Sequence, residues 1–271
     1  MPDVMLKWLP HFMVIPLMGC LLVAGATLAD PDTRGAGIGV HPVIRTSLPP
    51  SIDGTLDDAC WAAAERLIKA DFIHGSPGDT AEATPLLVRL TWDTRYLYIG
   101  YTVRRVSSEA EADPDGDDTS RADGFVEFFI KFPAVRHFME VHHHPDNTRE
   151  VIRATVRPPG LDLFGTSSDG IRLPDGSRLM LDRDEAFSLR AGVRQDVDGT
   201  YHGELAVPWT GLRIADEDIP VKPGDTFRFL AVYAATGSGN RYYHSSPDMP
   251  PGWFHQHTRR WNICRLEDAH D

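Results

Sequence analysis

Several short stretches of the chain alternate apolar and polar residues, which is the pattern of half-buried β-strands. The stretch 86–92 is the clearest, and 96–103 follows it after an Asp-Thr-Arg turn, so the two predict a β-hairpin. The run 125–132 is almost continuously apolar, which is typical of a strand buried on both faces. Further stretches with strand character are 138–143, 150–156, 187–197, 201–207, 227–235, 240–244 and 260–266.

The turns and one helical stretch complete this pattern. Asp198-Gly199 stands between two predicted strands and favours a tight hairpin. Only 57–69 is typical of a helix, because it is rich in alanine and Asp57 is a suitable N-cap. About ten strands with one short helix predict an all-β fold, an antiparallel β-sandwich of the immunoglobulin-like or jelly-roll-like kind.

The N-terminal residues differ from the rest of the chain. Lys7 precedes an apolar run that extends from 12 to 28, which Pro16 interrupts and which small residues close. This run is short for a membrane span, so residues 1–29 are predicted to be a secretory signal peptide. An uncleaved anchor is the alternative, and Leu-Met-Gly before Cys20 loosely resembles a lipoprotein processing site, which leaves lipid anchoring open. The expected location is secreted or periplasmic, with no stable membrane span after signal removal.

The remainder of the chain reads as one domain. The glycine-rich stretch 30–39 predicts a flexible lead-in, and no internal repeat or Pro/Ser linker divides 40–268. Cys60 and Cys264 remain after signal removal, and an oxidising compartment would permit a disulfide between them. Two buried free thiols are the equally open alternative.

Composition sets limits on the partners. The hydrophobic content of 42% is ordinary for a globular protein with a sizeable core. The formal net charge of −12 argues against nucleic acid, because phosphate binding needs a basic surface. No nucleic-acid partner is therefore expected.

Six segments carry a resemblance to a known family. They are Ile-Asp-Gly-Thr-Leu-Asp-Asp-Ala-Cys-Trp at 52–61, Leu-Thr-Trp-Asp at 90–93 with Tyr-Leu-Tyr-Ile at 96–99, Asp-Gly-Phe-Val-Glu at 123–127, Glu-Leu-Ala-Val-Pro-Trp at 204–209, Pro-Gly-Asp-Thr-Phe-Arg-Phe at 223–229 and the closing segment 253–261. In this order they resemble the family 9 carbohydrate-binding modules, the type found attached to xylanases. The resemblance implies a β-sandwich that binds glycans, at chain ends in the best-known members, often with structural calcium. It departs from the family at Arg121, which stands where members that grip sugar ends have an aromatic platform.

Sugar binding needs flat aromatic faces against the C–H side of a pyranose and planar polar groups for its hydroxyls. Glu127 alternates with apolar neighbours, so it either faces a groove or makes a buried ion pair. The candidate ligand-binding residues are the polar Arg121, Asp123, Glu127 and Arg149 and the aromatic Tyr242, Tyr243 and Trp253.

Metal binding is a separate question that the sequence leaves open. Aspartates recur at every second position in 113–117, but the spacing of glycine and glutamate does not fit a helix-loop-helix calcium motif. A looser structural calcium site or a solvated acidic loop are the alternatives. In 142–144, His142 and His144 would share one face of a strand, and His255 or His257 could join them around a transition metal.

The function predicted from these observations is that of a secreted, non-catalytic protein that recognises a plant-type or bacterial polysaccharide or its chain ends. It would serve carbohydrate catabolism, alone or with an enzyme partner. The alternatives are a xylanase-like glycoside hydrolase and an interaction or assembly module without a sugar ligand. Asp123 and Glu127 do not form a catalytic dyad, because four residues along a strand separate them by roughly 13 Å, beyond the ~5–10 Å of glycosidases. No catalytic residue is predicted.

Overall fold

The structure, a computed structural model, describes nine stretches of the chain: 39–64, 66–104, 124–133, 137–157, 170–173, 175–184, 187–212, 221–235 and 241–269. All of them belong to one compact unit, Ala36–Asp271. The predicted signal peptide, nearly all of the lead-in, the acidic loop at 109–118 and the candidate ligands Arg121 and Asp123 lie outside the described residues.

The described residues form fifteen strands and three short helices. The strands are β1 (Val40–Arg45), β2 (Ile68–Ala70), β3 (Phe72–Ile73), β4 (Leu86–Trp92), β5 (Tyr96–Val103), β6 (Phe125–Lys131), β7 (His137–His143), β8 (Arg149–Arg157), β9 (Ile171–Arg172), β10 (Arg178–Arg183), β11 (Arg190–Gln195), β12 (Tyr201–Pro208), β13 (Thr226–Ala235), β14 (Arg241–His244) and β15 (Asn262–Glu267). The helices are α1 (Ala59–Ala63), α2 (Trp209–Leu212) and a 3₁₀ helix (Phe254–Arg260). None of the described helices is long and apolar enough to cross a membrane.

The all-β class is confirmed, and the ten predicted strands are all present with small shifts at their ends. The count of about ten was too low, because β1, β2, β3, β9 and β10 were not predicted. Three of these five strands have only two or three residues, so their sequences are too short to show an alternating pattern.

The predicted helix 57–69 is wrong over most of its length. Of its described residues, only Ala59–Ala63 is helical, and residues 68–70 form β2, which pairs with β4. Asp57 is not the N-cap: Asp58 precedes the helix, and its carboxylate accepts a hydrogen bond from the Ser51 N–H at 2.8 Å instead of capping the helix. Pairing with β4 thus overrides the helical propensity of the alanines.

The strands pair into one continuous sheet with two arms. The first arm has the order β11-β12-β5-β4, with β2 on β4, and the second has the order β15-β13-β6-β7-β8-β10-β9, with β14 on β13 and β3 on β14. β1 joins the arms by pairing in parallel with both β15 and β4, so the expectation of a purely antiparallel arrangement is wrong at this strand. Because the pairing is continuous, a sandwich of two separate sheets stays a prediction.

The main core takes side chains from both arms. Trp92 and Leu205 of the first arm belong to the same apolar cluster as Phe128 and Phe229 of the second. Phe129 belongs to a second cluster, in which it packs on the Phe254 and Trp261 rings. Adjacent residues of β6 therefore serve different apolar clusters, which explains why this strand is apolar at nearly every position.

The motif at 52–61 is organised by a buried glutamate. Glu204 of β12 is fully buried, and its carboxylate accepts hydrogen bonds from Asp53 N–H at 2.9 Å, Gly54 N–H at 2.8 Å and Trp61 Nε1–H at 2.7 Å. Gly54 has a φ of +88°, and a Cβ there would lie 2.5 Å from the Val193 backbone, so only glycine fits. The segment 52–61, which carries part of the family resemblance, thus has a role in the structure of the fold.

Cys60 and Cys264, for which the sequence left a disulfide and free thiols equally open, are not bonded to each other. Cys60 and Cys264 are both free, buried thiols, so the second of the two alternatives is the one observed. Cys60 lies in a small cluster with Trp61 and Tyr98, whereas Cys264 lies in the main core. Burial, with the charges of Asp58 and Glu204, raises the pKa of Cys60 to about 12, and burial also raises the pKa of Cys264.

Candidate functional site

Strands β6 and β7 place three ionisable side chains on one face of the second arm. Glu127 pairs with His142, and Phe129 pairs with Glu140, so these alternate positions share a face. The intervening residues, such as Phe128, point into the main core. The ionisable face is therefore the one that looks away from the main core.

Glu140 is the centre of this group. It is 5% exposed, and its two carboxylate oxygens accept hydrogen bonds from His142 Nε2–H at 2.6 Å and His255 Nε2–H at 2.9 Å. Burial alone would raise the pKa of Glu140. The hydrogen bonds from these two histidines outweigh burial and lower the pKa to about 2. Glu140 is thus a carboxylate at every ordinary pH, and it connects β7 to the 3₁₀ helix.

Glu127 is buried with much weaker compensation. It is 8% exposed, and its Oε1 lies 3.9 Å from His142 Nε2, which is beyond hydrogen-bond distance. Burial raises the pKa of Glu127 to about 7. The charge of Glu140 also raises this pKa, whereas the charge of His142 lowers it. The sequence left open whether Glu127 faces a groove or makes a buried ion pair, and the structure shows a buried carboxylate with a long ionic contact.

The surroundings of His142 favour its protonated form. Burial would lower its pKa, but the hydrogen bond to Glu140 and the charges of Glu127, Glu140 and Glu150 raise it to about 9. Glu150 belongs to the same face, because it pairs with His142 across β7 and β8. The face therefore holds a His142–Glu140 ion pair beside Glu127, whose pKa is raised by burial.

Aromatic rings surround these polar groups. The Phe125 ring centre lies 5.3 Å from that of His142 and 4.9 Å from that of His144, to which it is nearly parallel. The Trp253 ring lies 5.7 Å from that of His255. The rings of Phe125, His142, His144 and Trp253 are each partly exposed, whereas Glu127 and Glu140 beside them are buried.

Three of the predicted site residues meet on this face: Glu127, Tyr242 and Trp253. Tyr242 is partly exposed, and burial together with the charge of Glu127 raises its pKa. The structure thus places a carboxylate, a phenol and an indole near one another on this side of the second arm, although only Glu127 belongs to β6 or β7.

Two other predicted residues are not brought to the site. Tyr243 is 2% exposed and packs in the main core, stacked on Tyr233 at 6.3 Å. Arg149 pairs with His143, so it faces the side of the second arm opposite to Glu127. The remaining polar candidates, Arg121 and Asp123, lie outside the described residues.

Sequence reasoning missed Glu140 and Phe125, and it considered His142 and His255 only as metal ligands. The signal for Glu140 was present, because Glu140 and His142 are two residues apart on a predicted strand and must share a face. The sequence offered His255 as a possible neighbour of His142, but its contact with Glu140 was not predicted, since it depends on the path of a loop more than a hundred residues later.

Comparison with known proteins gives a fold likeness and no sequence match. No protein-family model matches the chain, and no curated protein sequence does. A Bacteroides uniformis protein, provisionally described as carbohydrate-binding, has a TM-score of 0.56 at 12% identity, over 83% of this chain and 98% of its own. A family 9 carbohydrate-binding module from Caldicellulosiruptor kristjanssonii, in complex with glucose, has a TM-score of 0.50 at 12% identity, over 85% of this chain and 97% of its own.

The chain therefore has the fold of a family 9 carbohydrate-binding module. The resemblance that the sequence motifs indicated is confirmed at the level of the fold. At 12% identity the family 9 likeness assigns no role to any residue of this chain, so the site rests on its own geometry.

Proposed function

We propose that this protein is a non-catalytic carbohydrate-binding module that recognises a polysaccharide or its chain ends on the face formed by β6, β7 and the segment 242–255. The observation that carries the proposal is the convergence of partly exposed rings with buried polar groups on that face. Trp253 and Phe125 offer apolar surfaces for the C–H side of a pyranose. His142 and Glu127 offer planar groups for its hydroxyls.

The solved structures support the ligand class. The similar module from Caldicellulosiruptor kristjanssonii is in complex with glucose, and the chain shares its fold at a TM-score of 0.50. We propose a plant-type or bacterial polysaccharide as the natural ligand, as the sequence resemblance implies. Because few groups converge, we expect affinity in the micromolar to millimolar range.

Binding to a panel of soluble oligosaccharides and insoluble polysaccharides tests this proposal. We expect Trp253→Ala to weaken binding at least about ten-fold, since it removes a stacking surface worth roughly 1.4 kcal/mol or more. Tyr96→Ala is the matched control, because Tyr96 is another partly exposed ring but lies on β5, in the cluster of Trp61. Equal binding by the wild type and Trp253→Ala, or silence across the whole panel, would contradict the proposal.

Glycoside hydrolysis is a second candidate, and one observation favours it. Glu127 and Glu140 bring carboxylate oxygens within 4.8 Å of each other, near the ~5 Å spacing of retaining glycosidases. Their pKa values of about 7 and about 2 differ as those of an acid and a nucleophile do. One observation argues against hydrolysis: both carboxylate oxygens of Glu140 already accept hydrogen bonds from histidines. Release of reducing sugar by the wild type but not by Glu127→Gln would favour hydrolysis over binding alone.

The location of the protein in the cell also belongs to this proposal. We propose that residues 1–29 direct export and are removed, which places the protein outside the cytoplasm, where polysaccharides are met. The intact mass of the exported chain tests this, and a chain that keeps its first 29 residues would contradict it.

We also propose that the two arms stack as a sandwich, because β13 packs on β2 and β4 without pairing with them.

A further inference from the structure

We propose that Glu127, Glu140 and His142 form a binding site for one divalent transition-metal ion, for which zinc is the probe, with His255 as the residue that positions Glu140. This inference does not depend on sugar binding. It rests on the geometry of the donor atoms and on the burial of the Glu127 carboxylate without a close partner.

The donor atoms are already close together. One oxygen of Glu127, one oxygen of Glu140 and one nitrogen of His142 all lie within 4.8 Å of one another. A tetrahedral zinc ion with ligands at about 2.0–2.2 Å requires donor atoms roughly 3.4 Å apart. The observed His142 contacts, 2.6 Å to Glu140 and 3.9 Å to Glu127, lie on either side of that value, so small side-chain rotations would complete the site.

The Glu127 carboxylate is a second, independent observation. It is more than nine-tenths buried, it points at the group, and its nearest described ionic contact is the long one to His142. A buried carboxylate without a close partner is costly. A divalent cation bound between the three donor atoms would give the Glu127 carboxylate the close partner that it lacks, and the His142 Nε2 proton would pass to solvent.

His255 gives the site the supporting contact that metal ligands usually have. Its Nε2–H donates to the Glu140 oxygen that does not face His142, which fixes the orientation of the carboxylate. The Nδ1 of His255 is buried and has no hydrogen-bond partner among the described residues, so Glu140 is the polar group that holds this ring. The 3₁₀ helix thereby contributes to a site built on β6 and β7.

The donor set selects the class of metal. One imidazole nitrogen with two carboxylates suits zinc and its transition-metal neighbours, which accept mixed nitrogen and oxygen ligands. Calcium requires six to eight oxygen ligands and has no preference for imidazole. The site is therefore distinct from the calcium site that the family resemblance implies.

Zinc titration of the mature, tag-free protein by calorimetry, after treatment with a chelator, tests the inference. We expect one zinc ion per chain, no saturable calcium binding at this site, and at least a ten-fold weaker affinity for zinc in His142→Gln. His202→Gln is the matched control, because His202 also contacts a carboxylate, that of Asp196 at 3.1 Å, but belongs to β12. His202→Gln should bind zinc as the wild type does.

A second variant guards against misfolding. Glu127→Gln keeps the size of the side chain and removes the charge, so it should fold, lose zinc affinity and lose the rise in melting temperature that zinc gives the wild type. Absence of stoichiometric zinc binding by the wild type, or equal affinity in His142→Gln and the wild type, would overturn the inference. Sugar binding that persists in chelator without zinc binding would reject the metal site alone, and zinc binding without sugar binding would reject the proposed function alone.

Discussion

Two buried polar residues, Glu204 and His143, show how single side chains define the positions of whole segments. Glu204 holds the turn at Asp53 and Gly54 and the indole of Trp61 with three hydrogen bonds. His143 joins the Tyr101 hydroxyl at 2.8 Å to the Asn147 side chain at 2.9 Å. The sequence marked both positions as parts of strands, but it gave no partner for either.

Glu204→Gln should destabilise the fold. Both Glu204 oxygens accept N–H donors, so a glutamine must turn its NH₂ group toward at least one of them. We expect a loss of about 2–4 kcal/mol in the free energy of unfolding, because hydrogen bonds to a buried charged group are lost and a donor is left unpaired. Urea unfolding measures this loss. Trp61→Phe removes one of the three donors together with part of a buried ring, so it should also destabilise the fold. Equal stability of Glu204→Gln and the wild type would contradict this assignment.

Because His143 is buried, we expect the protein to lose stability in acid. Burial lowers its pKa to about 4, against the ordinary value of 6.5, so the unfolded chain binds the proton more readily. The stability that this residue contributes is present above pH 6.5 and is lost as the pH falls through about 4, by roughly 3 kcal/mol in total. His143→Gln should show a shallower decline of unfolding free energy between these pH values. Parallel curves for the two proteins would contradict the prediction.

At the scale of elements, the pattern of side chains predicted the long strands well and the short ones poorly. β4, β5 and β6 were predicted almost to the residue, because alternation or continuous apolarity extends over seven or eight positions. β2 was mistaken for helix, because the alanines before it dominate the local propensity. The candidate site was half predicted: Glu127, Tyr242 and Trp253 were named, whereas Glu140 and its contact with the 3₁₀ helix depend on strand register and loop path.

The substitution Lys69→Val tests whether residues 68–70 form a strand or a helix. Lys69 is exposed in β2 and pairs with Leu87 of β4. In a strand, Lys69→Val should be neutral or stabilising by a few tenths of a kcal/mol, because β-branched residues favour strands. Ala62→Val is the control: Ala62 is exposed in α1, where valine should cost about 0.5 kcal/mol. Thermal unfolding measures both, and a destabilised Lys69→Val would argue against the pairing of β2.

At the scale of the whole molecule, the two arms are held together by β1 and by a shared apolar core rather than by a covalent bond. β1 was the least predictable part of this arrangement, because its parallel pairing joins residue 40 to residue 263. Sequence alternation reports which face a residue takes, but it carries no information on pairing over such a distance.

The free thiols give a prediction for the molecule as a whole. Cys60 and Cys264 are unpaired and buried, so a reducing agent should leave the melting temperature unchanged. A thiol reagent should label neither residue in the folded protein and both after denaturation, because burial blocks access and disfavours the thiolate. Fewer than two labelled cysteines in the denatured mature chain would indicate a disulfide and contradict the prediction.

Titration of the mature ¹⁵N-labelled protein with oligosaccharides, followed through the tryptophan indole N–H signals, tests the central claim most directly. Among the described tryptophans, Trp253 is partly exposed, whereas Trp61, Trp92, Trp209 and Trp261 are buried. The account predicts a saturable shift of the Trp253 signal by a glycan that the protein binds, with the other four signals nearly unmoved. Binding of a glycan that leaves the Trp253 signal in place would contradict the account, because the sugar would then occupy a different surface.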